Sequence, residues 1–262
     1  MAVDDAVPGP VIRYPGASTV EEFRRNLAEV RSRIDAAAER SGRAPSEVRL
    51  LPVSKTVPGD RIRNAVAAGC TELGENKVQE AKRKHAELAD LDVAWAVIGH
   101  LQTNKAKDVV AFASEFQALD SLRVAEALDR RLQAAGRGLD VYVQVNTSDE
   151  ESKYGLPPSE LLDVLRQLRH YSSLRVRGLM TLAVFSADEA RVRRCFGLLR
   201  TLRDRARDED PALIGDGGLS MGMSGDYEIA VEEGATCVRV GQAIFGSRST
   251  PDSQWWPGEP GL

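Results

Sequence analysis

The 262-residue sequence offers little cysteine chemistry: Cys70, Cys195 and Cys237 are its three cysteines, none is in CxxC spacing, and each lies in an apolar segment. This argues against a disulfide framework or a thiolate metal site and for small buried thiols in a reducing compartment. No apolar run approaches the length of a membrane span. The N-terminal MAVDDAVPGPVIRYPG has acidic residues and prolines where a secretory signal would be basic and then apolar. A soluble, cytoplasmic chain with no membrane partner is expected. An excess of charge of one sign is also missing: 35 Lys and Arg against 39 Asp and Glu leave a net charge of -4, with no electrostatic reason to bind nucleic acid. What remains is an ordinary globular composition, 42% hydrophobic, long enough for one large α/β barrel or two small domains.

Residues 1–16 are rich in Pro and Gly without apolar period and are expected to be disordered. Ser18 and Glu21 have capping-box spacing, and Val20, Phe23, Leu27, Val30 and Ile34 then mark one apolar helix face, closed by Gly42. A regular alternation follows. Short apolar strands are expected at 50–54, 70–74, 95–99, 116–119, 141–145, 176–180, 219–221 and 237–240, each followed by a helical segment. Ser186 and Glu189 form a second capping box, and Ser224 stands as N-cap of a helix to Glu233. Eight strand–helix units with short loops predict an α/β fold, a single (β/α)8 TIM barrel over residues 17–248 with an extra N-terminal helix; an open doubly wound sheet is the alternative. Residues 249–262, with Trp255 and Trp256, read as a polar tail, and no second domain is expected.

Barrel active sites form at the C-terminal strand ends. The first strand, LLPVSKT, ends on Lys55, and alternation puts Leu51, Val53 and Lys55 on one face. An amine at the rim of an apolar interior has a lowered pKa and becomes a better nucleophile toward an aldehyde. The other ends supply Asn76, His100, Asn146, Met221, Ser224 and Gly241, together with Arg239 inside VRV. Arg239 needs a buried acceptor, either as a structural ion pair or as a donor in a ligand pocket. His100 reads as a base or as a hydrogen-bonded structural group, and Glu150 and Lys153 as a solvated pair on one loop. GMSGD and GQAIFG are glycine-rich where barrels hold phosphate, with Gly241 and Gly246 allowing close backbone approach. A lysine at one rim and a phosphate cradle at the other suggest pyridoxal 5′-phosphate (PLP). Sugar-phosphate aldolase chemistry stays open as an alternative.

VSKT (53–56), GENKVQE (74–80), IGHLQTNK (98–105), VNTSDEESKYG (145–155), RGLMTL (177–182), LSMGMSGD (219–226) and VRVGQAIFG (238–246) resemble the pyridoxal-phosphate homeostasis proteins, whose fold is that of the alanine racemase N-terminal domain. Two positions depart from the family's habit: Ala96-Val97 where Trp-His often precedes Ile-Gly, and Lys77 after Gly-Glu-Asn. The resemblance implies a PLP Schiff base on Lys55, phosphate contacts from Ser224 and the Gly241 region, Arg239 at the pyridine nitrogen and Asn76 near the cofactor. It implies a carrier that contributes to PLP (vitamin B6) and amino-acid homeostasis with little or no catalysis, PLP-dependent apoenzymes as recipients, and a monomer or weak dimer. A PLP-dependent alanine-type racemase is the alternative. Arginine opposite the ring nitrogen weakens the ring as an electron sink, which favours the carrier.

Overall fold

The structure, a computed structural model, describes residues 14–148, 150 and 153–247. It opens on helix α1 (Val20–Arg40), whose buried face is Phe23, Val30, Ile34, Ala37 and Ala38. The capping box lies one residue later than the spacing suggested. Thr19 is the N-cap, and Glu22 Oε2 accepts from the N–H groups of both Ser18 and Thr19, which together pull its pKa down to about 2. The Ser18–Glu21 pairing is therefore corrected.

Eight strand–helix units follow: β1 (Arg49–Pro52), α2 (Gly59–Ala67), β2 (Glu72–Glu75), α3 (Val78–Glu87), β3 (Ala94–Val97), α4 (Ala106–Phe112), β4 (Glu115–Leu119), α5 (Leu122–Ala134), β5 (Leu139–Gln144), α6 (Leu161–Leu168), β6 (Leu174–Met180), α7 (Glu189–Glu209), β7 (Gly218–Ser220), α8 (Tyr227–Glu232), β8 (Cys237–Val240) and α9 (Gln242–Phe245). All strands pair in parallel, in the order β1-β8-β7-β6-β5-β4-β3-β2, so the eight form a nearly closed TIM barrel. Their type and order match the alternation of the sequence, with ends shifted by a residue or two. The N-cap of α7 is Asp188, which accepts from Ala190 N–H and Arg191 N–H; the Ser186–Glu189 box does not form. The helix expected from Ser224 begins at Tyr227 instead, with Asp226 at the N-cap position.

Apolar side chains pack in two layers. The large core lies between the sheet and its helices, and a small one inside the barrel holds Leu51, Ala96 and Cys237 with Ile98 against them. Cys70, Cys195 and Cys237 are all buried free thiols; desolvation raises the pKa of each, that of Cys70 to about 12. No helix among the described residues is long and apolar enough to cross a membrane.

The barrel closes at the seam between β1 and β2, where backbone pairing is reduced to the Val53–Gly74 bridge and the Ser54 N–H bond to Gly74 O at 3.1 Å. Side chains make up the deficit. Glu75, at the end of β2, accepts from Ser54 Oγ at 2.6 Å and from Lys84 Nζ at 2.7 Å. Lys84 extends from the apolar face of α3, in line with Val78 and Ala81, and also donates to Ser54 O at 2.7 Å. Its third partner is Glu80, at 2.8 Å. Glu75 and Lys84 are both fully buried, and desolvation holds the Glu75 carboxyl above its usual pKa despite the ammonium beside it. A pair buried this deeply is costly to break from one side. Lys84→Met is therefore expected to lower unfolding free energy by about 3–5 kcal/mol in urea titrations. Lys84→Met/Glu75→Leu should recover part of that loss. A single variant that loses under about 1 kcal/mol would show that the pair does not hold the seam.

Candidate functional site

The C-terminal strand ends surround one cavity of about 550 Å³. Lys55, Asn76, His100, Ser224, Arg239 and Gly241, all expected from the sequence, contribute to its wall. Asn146 and Met221, expected with them, do not. The Asn146 amide donates to Glu150 O and its carbonyl accepts from Ser148, so it ties the loop after β5; Met221 is fully buried in the outer core.

Lys55 sits in a four-residue turn closed by Val57 N–H to Ser54 O at 2.9 Å. The turn places Thr56 at φ 67°, a left-handed value that a β-branched residue rarely adopts and that costs on the order of 1–3 kcal/mol. Its neighbours hold it there. Ser54 O receives Lys84, and Thr56 N–H donates to Glu80 Oε1 at 2.7 Å. The ion cluster at the seam thus grips the backbone on both sides of Lys55, whose half-buried side chain enters the cavity beside Val53. Asn76 is seated by a close approach to β3: a Cβ on Gly99 would lie 2.2 Å from Asn76 O.

Arg239 forms the floor and is 3% exposed. Its Nη1 donates to Ser220 Oγ at 2.7 Å and its Nη2 to Thr181 O at 2.8 Å. These partners are neutral, so the structural ion pair considered from the sequence is not formed among the described residues. Behind it runs a polar chain through the barrel. Ser220 Oγ donates to Gln117 Oε1 at 2.7 Å, Gln117 Nε2 to Glu115 Oε1 at 2.6 Å, and Arg49 holds Glu115 with two bonds of 2.6 and 3.0 Å. Burial lowers the Arg239 pKa, but guanidinium starts so high that it stays charged.

At the opposite wall Ser224 Oγ accepts from Gly241 N–H at 3.2 Å and Ala243 N–H at 3.4 Å. These amides open α9 and are a place for an anion. Ser224 thus belongs to the cradle, though not as a helix cap. Asp226 lies beside it, with Oδ1 accepting from Met223 N–H at 2.5 Å. Desolvation raises its pKa to about 6, against a lowering by that N–H and by Arg239.

The rim carries the remaining polar groups. His100 Nδ1 is 2.7 Å from Asp120 Oδ2, and its ring stacks on Tyr154 with centroids 4.0 Å apart. Lys153 overturns the solvated-pair expectation. It is buried, with Nζ 2.7 Å from Glu150 Oε2 and donating to Ala183 O at 2.9 Å, and it lines the cavity. Tyr154 and Phe185, 53% and 39% exposed, also face the cavity.

Sequence reasoning missed Tyr14, Tyr154, Phe185 and Asp226 in the wall, and Lys84 and Gln117 behind it. Lys84 carried a signal, a lysine at apolar spacing among Val78, Ala81 and Leu88. Gln117 carried another, a polar residue within EFQAL.

Asp226 yields a pH prediction. Between about pH 4 and 6 the folded chain holds a proton that the unfolded chain has lost, so Asp226 makes stability fall as pH rises through that window and adds nothing to the slope above it. Asp226→Asn keeps an acceptor for Met223 N–H and removes the titration. The gain over wild type should grow from pH 4 to 6 and level off at no more than about 3 kcal/mol. Thermal unfolding across that range checks it; parallel wild-type and variant curves would refute it.

Residues 25–249 match the family model described as "Alanine racemase, N-terminal domain". The "Pyridoxal phosphate homeostasis protein" of Pseudomonas aeruginosa is 41% identical over 231 residues, 88% of this chain and 96% of that protein. The solved structure of PipY from Synechococcus elongatus PCC7942 with PLP bound superposes with a TM-score of 0.76 at 37% identity, covering 86% of this chain and all of PipY. Alanine racemase from Streptomyces lavendulae, at 16% identity and a TM-score of 0.67, shares the fold over 59% of its length. Fold, strand-end residues and near full-length similarity agree, and the chain belongs to the pyridoxal phosphate homeostasis protein family, within the alanine racemase N-terminal domain fold.

Proposed function

We propose that this chain binds PLP and acts as an intracellular carrier that supplies it to PLP-dependent apoenzymes. The observation that carries the reading is the convergence of three groups on one cavity: Lys55 on its turn, the Arg239 guanidinium on its relay, and the Gly241 and Ala243 N–H groups with Ser224. The residues fit the group, which has an aldehyde, a ring nitrogen and a phosphate. Lys55 would hold the aldehyde, Arg239 would donate to the ring nitrogen, and Ser224 with the α9 amides would take the phosphate. The PLP-bound PipY structure and the name of the Pseudomonas relative support this.

Bound to a lysine, PLP supplies a reactive imine and a conjugated ring that accepts electrons in proportion to the protonation of its nitrogen. Arg239 offers only donors, through guanidine nitrogens pinned by Ser220 and Thr181, so it keeps a proton off any group it faces. It therefore disfavours proton abstraction at a substrate α-carbon. A second reading, amino-acid racemisation, has one observation in its favour: His100 is oriented by Asp120 at 2.7 Å, as a general base would be.

One experiment tests the Lys55 assignment and a second separates the two readings. Protein treated with PLP and reduced with borohydride should carry the pyridoxyl mass on the Lys55 peptide, and Lys55→Ala should lose the label while unfolding at an unchanged temperature. A label on Lys77, Lys105 or Lys153 with none on Lys55 would sink the assignment. For the carrier role, PLP-loaded protein given L-alanine in heavy water should form D-alanine negligibly. Turnover on the order of 1–1000 per second, lost in His100→Ala, would make the chain a racemase.

A further inference from the structure

We propose that Tyr14 is a positioning residue for the anion-binding end of the cavity, holding the Ser224 backbone in place beside the amides that open α9. The inference rests on the PLP reading only for the identity of the anion. Tyr14 lies within the stretch expected to be disordered, yet it is tied to the far end of the barrel. Tyr14 N–H donates to Ser247 Oγ at 2.7 Å, and Ser247 N–H donates back to Tyr14 O at 3.1 Å. The two segments touch closely beside this pair. Gly246 sits at φ 94°, and a Cβ there would lie 2.5 Å from Gly16 Cα. The close approach expected of Gly246 is thus to the chain's own N-terminal segment. Arg61 adds a clamp, with Nε donating to Ala17 O at 2.7 Å and Nη2 to Phe245 O. Four residues outside the barrel units are thereby strapped across α9.

The strap delivers one side chain to the site. Tyr14 Oη donates to Ser224 O at 2.6 Å, and its ring shares the cavity wall with Ser224, Gly225, Asp226 and Gly241. Burial raises the phenol pKa, so it remains a donor at neutral pH. Ser224 is thus held at both ends, its carbonyl by Tyr14 and its hydroxyl by the Gly241 and Ala243 N–H groups. A phosphate oxygen accepting from those amides would take over the role of the Ser224 oxygen, and the hydroxyl would turn to donate. That exchange needs the side chain to rotate while the backbone keeps its place. Backbone bonds hold the residues on either side, Arg239 N–H to Gly222 O and the N–H groups of Asp226 and Tyr227 to Met223 O, and the phenol adds the bond to the Ser224 carbonyl itself.

The test separates phosphate from the rest of the cofactor. Wild type and Tyr14→Phe would be titrated with PLP, with pyridoxal and with inorganic phosphate, the last by calorimetry. Tyr14→Phe should weaken PLP and phosphate roughly tenfold, as for one hydrogen bond in a charged site, and leave pyridoxal unchanged. Ser247→Ala, which removes the acceptor of Tyr14 N–H without touching the ring, should show the same selective loss at smaller size. Equal losses for PLP and pyridoxal, or an unchanged PLP affinity, overturn the inference, since a merely structural tyrosine would move both ligands alike. Wild type that binds phosphate but not PLP defeats the PLP reading and leaves Tyr14 to be judged on phosphate; wild type that binds neither defeats both.

Discussion

The site depends on a buried ion cluster at the barrel's weakest joint. Between β1 and β2 the backbone ladder is nearly absent, and Lys84, Glu75 and Glu80 bridge the gap with Ser54. The same contacts fix the turn that carries Lys55, where Thr56 takes a backbone conformation it would not adopt unaided. Closure of the fold and placement of the Lys55 amine are one physical problem with one solution. The cost is two fully buried charges and a Glu75 oxygen, Oε2, without a hydrogen-bond partner among the described residues.

Arg239 shows a second way of stabilising buried charge. It pairs with no carboxylate among the described residues. Its bond to Ser220 passes through Gln117 to Glu115, and Arg49 holds Glu115 at the other end of the barrel. The Arg239, Ser220 and Gln117 donors that link the chain each have a defined acceptor, so the guanidinium is oriented without being neutralised. A carboxylate in its place would pin the arginine and would also offer a proton acceptor to the cavity. The relay leaves the floor purely donating, which suits holding a cofactor better than activating it.

Beyond its anchoring groups the cavity is lined by Tyr154 and Phe185, which keep apolar surface exposed at the rim. Lys153, withdrawn from solvent and paired with Glu150, adds a buried amine to the same wall, which Lys77 and Lys105 also line.

How much of this was legible in the sequence follows from the range of each interaction. The barrel was, because alternation, helical periodicity and the glycines between them act over a few residues. Lys55, Asn76, Ser224, Arg239 and Gly241 were, because a parallel barrel sends every strand's end to one face. The caps were misplaced by one or two residues, since Ser18 and Thr19, or Ser186 and Asp188, compete locally and packing decides. Asn146 looked like a wall residue from its strand end, but the following loop folded back and took its amide. The pairing of Lys84 with Glu75 also escaped the reading, since it spans two elements. The remaining pieces needed contacts far apart in the chain: Gln117 with Ser220, and Tyr14 with Ser224 across 210 positions. Sequence by itself determined the units and the face they share. Only tertiary structure decided which buried polar groups meet there, because each needs a partner and no local rule says which distant residue supplies it.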